Sequence, residues 1–135
     1  TKPFTKPATQ DLVVTFRNLH NWLGQDAMKA IMQEAFNSLK EGGHFGVVEH
    51  RAPEGSDLEF MKKSGYVTQS LAIQTAQEVG FKLVASSEIN ANPKDTADHP
   101  RGVWTLPPSF RLKDQDRKKY AAIGESDRMT LLFKK

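Results

Sequence analysis

The sequence predicts an α/β domain. Short apolar runs with β-branched residues stand at residues 11–16 (DLVVTF) and 45–49 (FGVVE). Between them apolar residues recur at three- and four-residue steps, the period of a helix with one buried face. A second stripe of that period at 67–79 ends in Gly80 and leads into another apolar run. Strand, helix and strand joined by short connections imply parallel pairing through right-handed crossovers. About four strands are expected, with two main helices on one face, because crossovers of one hand running in one direction stay on one side.

In chain order, residues 1–10 (TKPFTKPATQ) carry two prolines and no period, and read as an extended arm. Residues 11–16 form the first strand. Met28, Ile31, Met32, Ala35, Phe36 and Leu39 then line one helix face; Asp26 is placed to cap its start and Gly42-Gly43 to stop it. Residues 45–49 form the second strand, and Pro53, Gly55 and Ser56 mark a loop. Ala72, Ile73, Ala76 and Val79 line the second helix, and residues 81–86 (FKLVAS) form the third strand. Residues 91–110 make a long polar loop and 113–122 a short polar helix. In the last strand, 127–133, Met129, Leu131 and Phe133 share a face.

A chain of 135 residues is one domain and buries a real core. Nineteen basic against sixteen acidic residues leave a formal charge of +3, well short of a nucleic-acid signature. Without cysteine there are no disulfides and no thiolate metal sites. No apolar run approaches the ~20 residues that span a bilayer, and no signal peptide is visible.

The richest chemistry follows the first strand, in Arg17, Asn18, His20, Asn21 and Trp22. Ligands of open α/β sheets bind beyond the carboxyl ends of the strands. His20 there is a candidate general base, since imidazole titrates near neutrality; the alternative is a packed or capping histidine. Trp22 is either a pocket wall or core. Glu49-His50-Arg51 ends the second strand and faces the same crevice, which suits acid–base or metal-assisted chemistry. Metal spacing is lacking: His20, His44, His50 and His99 are scattered, with no His-x-x-x-His pair. No metal is expected. Asp98-His99-Pro100-Arg101 forms either a lid or a solvated loop. The mixed signs of 111–120 favour a solvated helix.

Several segments in series resemble the C-terminal half of a class I S-adenosylmethionine-dependent methyltransferase. They are Asp11-Leu12-Val13-Val14 with Arg17-Asn18-Leu19-His20-Asn21, then Leu39-Lys40-Glu41-Gly42-Gly43-His44-Phe45, then Ala76-Gln77-Glu78-Val79-Gly80-Phe81. Ile123-Gly124-Glu125-Ser126-Asp127-Arg128-Met129-Thr130-Leu131 resembles the terminal strand of a bacterial subgroup of predicted methyltransferases. The resemblance covers residues 11–135. It implies half of a Rossmann-like sheet made of the family's fourth, fifth, seventh and sixth strands: three parallel, and the last in sequence antiparallel between the second and third. It implies S-adenosylmethionine as cofactor, with Arg17 and Asn18 near its methionyl group and the substrate; by their place at the same strand ends, His20, Glu49 and His50 are the catalytic candidates, and Asn21 and Arg51 are candidates for contact with a small-molecule substrate.

The family's Gly-rich turn after its first strand and the acid after its second have no counterpart here. Gly42-Gly43 precedes a strand instead of following one. The expectation is therefore a methyltransferase-like domain, incomplete and inactive alone. The alternative is a non-catalytic binding or assembly module that dimerises through its exposed sheet. The half sheet would leave an apolar strand edge and an apolar face. Residues 91–126, a second copy of the chain in a homodimer, or a complementing N-terminal half would cover them.

Overall fold

A computed structural model describes residues 2–135. In order, the elements are β1 (Gln10–Phe16), α1 (Leu19–Gly24), α2 (Met28–Ser38), β2 (Leu39–Ala52), α3 (Leu58–Ser64), β3 (Val67–Thr68), α4 (Gln69–Val79), β4 (Lys82–Ser87), a 3-10 turn at Gly102–Thr105, α5 (Arg117–Ile123) and β5 (Arg128–Lys134). The main sheet runs β1-β2-β5-β4, and β3 pairs with the end of β2. β1 is parallel to β2, whereas β5 is antiparallel to both β2 and β4. β1, β2 and β4 thus share one direction, with β5 inserted against them, as the resemblance implied. The two-residue β3 makes the sheet five-stranded.

Alternation along the strands builds the core. Val13 and Thr15 of β1, Phe45, Val47 and Glu49 of β2, and Met129, Leu131 and Phe133 of β5 face α2 and α4. These helices pack on each other and on one face of the sheet. Phe45 and Phe133 meet Phe81, and Phe36 of α2 sets its ring edge on Phe81 at 5.1 Å between centroids.

Several boundaries differ from the sequence expectation. α2 ends at Ser38, and Leu39 is already extended. Gly42 and Gly43 instead form a bulge in β2, where Gln10 pairs with Leu39 but Leu12 with His44. Gly42 supplies the positive φ, and a side chain at Gly43 would collide with the Lys40 carbonyl at 2.9 Å. Asp26 does not cap α2. The short helix α1 occupies the preceding residues, Asp26 closes its turn by donating its N–H to Leu23, and its carboxylate takes Lys62 at 2.7 Å. α4 starts two residues late because Val67 and Thr68 pair with Arg51 and Ala52. The Thr68 hydroxyl then caps it by accepting from Leu71 N. α3, absent from the sequence reading, is capped by Asp57 and stopped by Gly65 at φ 79°. The polar helix begins at Arg117, later than expected.

The long segment before β5 does not cover the second face of the sheet. It is tied to the carboxyl ends of the strands through Asp95, whose oxygens accept from the Tyr66 hydroxyl, Asp127 N, Ala97 N and His99 Nε2. On the second face Leu12, Val14 and Phe16 of β1 stay at least half exposed; at the opposite edge of the sheet Leu83 and Val84 of β4 are exposed as well. β1 has a free edge.

Candidate functional site

Glu49 takes the last inward place in the series Phe45, Val47, Glu49. It is a carboxylate with no exposed surface. A buried charge needs a full set of partners. Oε2 accepts His20 N at 2.7 Å and Oε1 accepts His50 N at 2.8 Å. His20 Nδ1 lies 3.0 and 3.1 Å from the two oxygens. The parallel register sets this up. Phe16 pairs with Val48, and the chain turns through Arg17, at φ 57°, directly into α1. Asn18 gives α1 no side-chain cap. The sheet supplies the acceptor instead, so a first-turn N–H of α1 ends on Glu49.

A carboxylate only accepts, so His20 Nδ1 donates to Glu49; in the neutral ring this tautomer leaves the lone pair on Nε2. The buried side-chain polar atom lacking a partner among the described residues is Thr15 Oγ1. His20 Nε2 and His50 Nε2 are bonded to no protein group either, so both reach solvent. They do so in a cavity of about 340 Å³ beyond the carboxyl ends of β1 and β2, lined by both histidines, Phe16, Arg17, Asn18, Trp104, Ser109, Ser126 and Arg128. His50 Nδ1 shares a hydrogen bond with Ser126 Oγ. The His20 ring stands 5.4 Å from that of His50 and meets Trp104 edge-on at 5.9 Å. Burial, then the charges of His20, Arg128 and Arg17, push the His50 pKa down to about 3. His50 is therefore a neutral acceptor at pH 7.

Chemically, the arrangement is an oriented imidazole backed by a buried carboxylate, with a neutral imidazole beside it and two guanidinium groups in the wall. Such a dyad can accept a proton at His20 Nε2 while Glu49 stabilises the imidazolium. One donor atom each from His20, Glu49 and His50 also lie within 4.8 Å of one another, close enough to hold a metal ion. Both Glu49 oxygens are turned to N–H donors.

The structure brings together Arg17, Asn18, His20, Glu49 and His50. Asn21 is exposed and reaches only toward Asn18, at 3.4 Å. Arg51 points away from the cavity. It grips Asp127 with two bonds of 3.0 and 3.1 Å, and also meets Gln69 and Glu88. These acceptors keep it firmly protonated, the Asp127 bond above all. Trp22 packs against the core. Ser126, Arg128 and Trp104 were not singled out from the sequence. The first two had a signal: an antiparallel β5 between β2 and β4 must start where β2 ends, and Arg128 pairs with His50. Trp104 had none, since it sits in a loop without period.

No family model matches the chain, and no curated protein matches it. Solved structures do. The 4+2 cyclase SpnF superposes over all of this chain and 52% of its own, with TM-score 0.60 and 15% identity. An S-adenosylmethionine-dependent methyltransferase from Mesorhizobium loti matches over 100% of this chain and 65% of its own, with TM-score 0.55 and 12% identity. A protein of Listeria monocytogenes described as a methyltransferase of the same kind matches over 96% and 63%, with TM-score 0.54 and 16% identity. The chain thus spans between half and two thirds of these neighbours' length. By fold, it is a methyltransferase-like α/β domain.

Proposed function

We propose that this chain is the substrate-side part of an S-adenosylmethionine-dependent methyltransferase, incomplete by itself, in which His20 is the proton acceptor and Glu49 its orienting partner. One observation carries the reading: a fully buried carboxylate orients an imidazole whose free nitrogen opens into a cavity beyond the carboxyl ends of parallel strands. A hydroxyl acceptor placed there would give its proton to His20 Nε2 as its oxygen became nucleophilic. Arg17 and Asn18 offer polar groups from the turn after β1, and Trp104 gives a flat wall.

The residues present do not fit the whole cofactor. No carboxylate lines the cavity to hold a ribose, and the Gly42-Gly43 pair lies toward the amino end of β2, away from His20. The share of the neighbours' length supports the same view, with a complementing half providing the nucleotide grip.

Calorimetric titration of the chain with S-adenosylmethionine, beside a methyl-transfer assay with small phenols and carboxylic acids, tests this. We expect binding weaker than about 100 μM, roughly −5.5 kcal/mol, and no transfer by the chain alone. Tighter binding with turnover would overturn the incompleteness. Transfer undiminished by His20→Gln in a complemented enzyme would overturn the role of the dyad.

A second reading, an assembly module paired with another copy of itself, is favoured by the bare apolar face of Leu12, Val14 and Phe16 beside the free edge of β1.

A further inference from the structure

We propose that a second cavity, between the end of α3 and the 3-10 turn, is an anion subsite that takes the carboxylate or phosphate of a small molecule with a planar body. This cavity of about 510 Å³ is bounded by Lys63, Arg101 and Arg111, with the rings of Phe60 and Trp104 as its apolar walls. No carboxylate lines it. Among the described residues, none of the three cations is in an ion pair, whereas Lys62, the neighbour of Lys63, is paired with Asp26. The nearby acid Asp95 is occupied by its four donors, His99 among them.

The walls are held in place. Gly65 and Gly102 both have positive φ, and each lacks room for a side chain: a Cβ at Gly102 would lie 2.4 Å from the Ser64 carbonyl, and one at Gly65 would lie 2.8 Å from the Trp104 ring. The end of α3 and the 3-10 turn are therefore in backbone contact, and the cavity forms before any ligand arrives. Arg111 is anchored by its own N–H to the Trp104 carbonyl at 2.9 Å, and its guanidinium stands over the Trp104 ring at 5.4 Å. Guanidinium forks match carboxylate and phosphate oxygens, and the two rings offer faces for a flat group.

Trp104 also lines the His20 cavity. A ligand anchored by Arg101 and Arg111 would lie against Trp104, the residue that the two cavities share. That it would be the methyl acceptor rests on the function proposed above; the binding itself does not.

The test is a titration of the chain, without cofactor, with phenyl phosphate, benzoate and the uncharged control benzyl alcohol. Amide NMR shifts around Gly102 and Arg111, and Trp104 fluorescence in a Trp22→Phe background, report binding. We expect saturable binding of at least one anion and none of benzyl alcohol at the same concentration. Affinity should fall at least tenfold in the Arg101→Gln/Arg111→Gln double variant and with added salt. Preference for phenyl phosphate assigns a phosphoryl ligand, and preference for benzoate a carboxylate. Equal binding of benzyl alcohol, shifts that map elsewhere, or an unchanged double variant would overturn the subsite. Because methyl transfer to uncharged acceptors does not involve these arginines, either proposal can fail while the other stands.

Discussion

Replacing Glu49 with Gln perturbs the site at its best-determined point. The carboxylate receives two backbone N–H groups on separate oxygens, plus His20 Nδ1. A carboxamide has one oxygen, so its NH2 must face one of those N–H groups in a place with no exposed surface. One unsatisfied buried donor costs about 1–3 kcal/mol, and loss of charge assistance at the remaining bonds adds about 1 kcal/mol. The sum is about 3 kcal/mol. At about 2.1 cal/mol/K per residue, 135 residues give an unfolding entropy of about 0.28 kcal/mol/K. The melting temperature should therefore fall by about 10 °C. Circular dichroism melts at pH 7 measure it, with Glu88→Gln as control. That carboxylate also meets a cation but is 72% exposed, and should shift the midpoint by no more than about 2 °C. A Glu49→Gln protein melting within about 3 °C of wild type would refute the buried-acceptor reasoning.

The remaining predictions concern His50 and the open face. His50 is neutral in the folded chain down to about pH 3 but protonates near 6.5 once unfolded. The stability it contributes is thus complete above pH 6.5 and lost as pH falls toward 3, with a slope of at most about 1.4 kcal/mol per pH unit. Urea melts from pH 7.5 to 4 should show a shallower acid loss in His50→Gln than in wild type; identical slopes would contradict the assignment. If two copies pair through the bare face, Val14→Asp should weaken the dimer at least tenfold in sedimentation equilibrium. The monomer's melt should change little, because Val14 is half exposed. A wild-type chain that is monomeric at tens of micromolar would sink that pairing.

Much of the architecture was legible because alternation and helical period are local signals. The run FGVVE already put Glu49 on the face of Phe45 and Val47, and its depth follows from the helices over that face. The short helices α1 and α3, of six and seven residues, carry too few turns to show a period. The Gly-Gly pair read as a helix stop because a positive φ serves a bulge and a C-cap equally well. Arg51 shows a harder limit. Its place at a strand end suited substrate contact, but its partner Asp127 is 76 residues away on the approach to a neighbouring strand, and only the antiparallel register brings the two together. Trp104, which lines both cavities, depends on a loop held by Asp95, and that loop has no pattern at all.

Long-range proton–nitrogen NMR of the histidine rings at pH 7 probes the heart of the account. If Glu49 orients His20 as argued, the neutral ring carries its proton on Nδ1 and leaves Nε2 bare, and it switches tautomer or becomes mixed in Glu49→Gln. A His20 that already carries its proton on Nε2, or is a tautomer mixture in the wild-type chain, would mean that the free nitrogen is not presented to the cavity as a base.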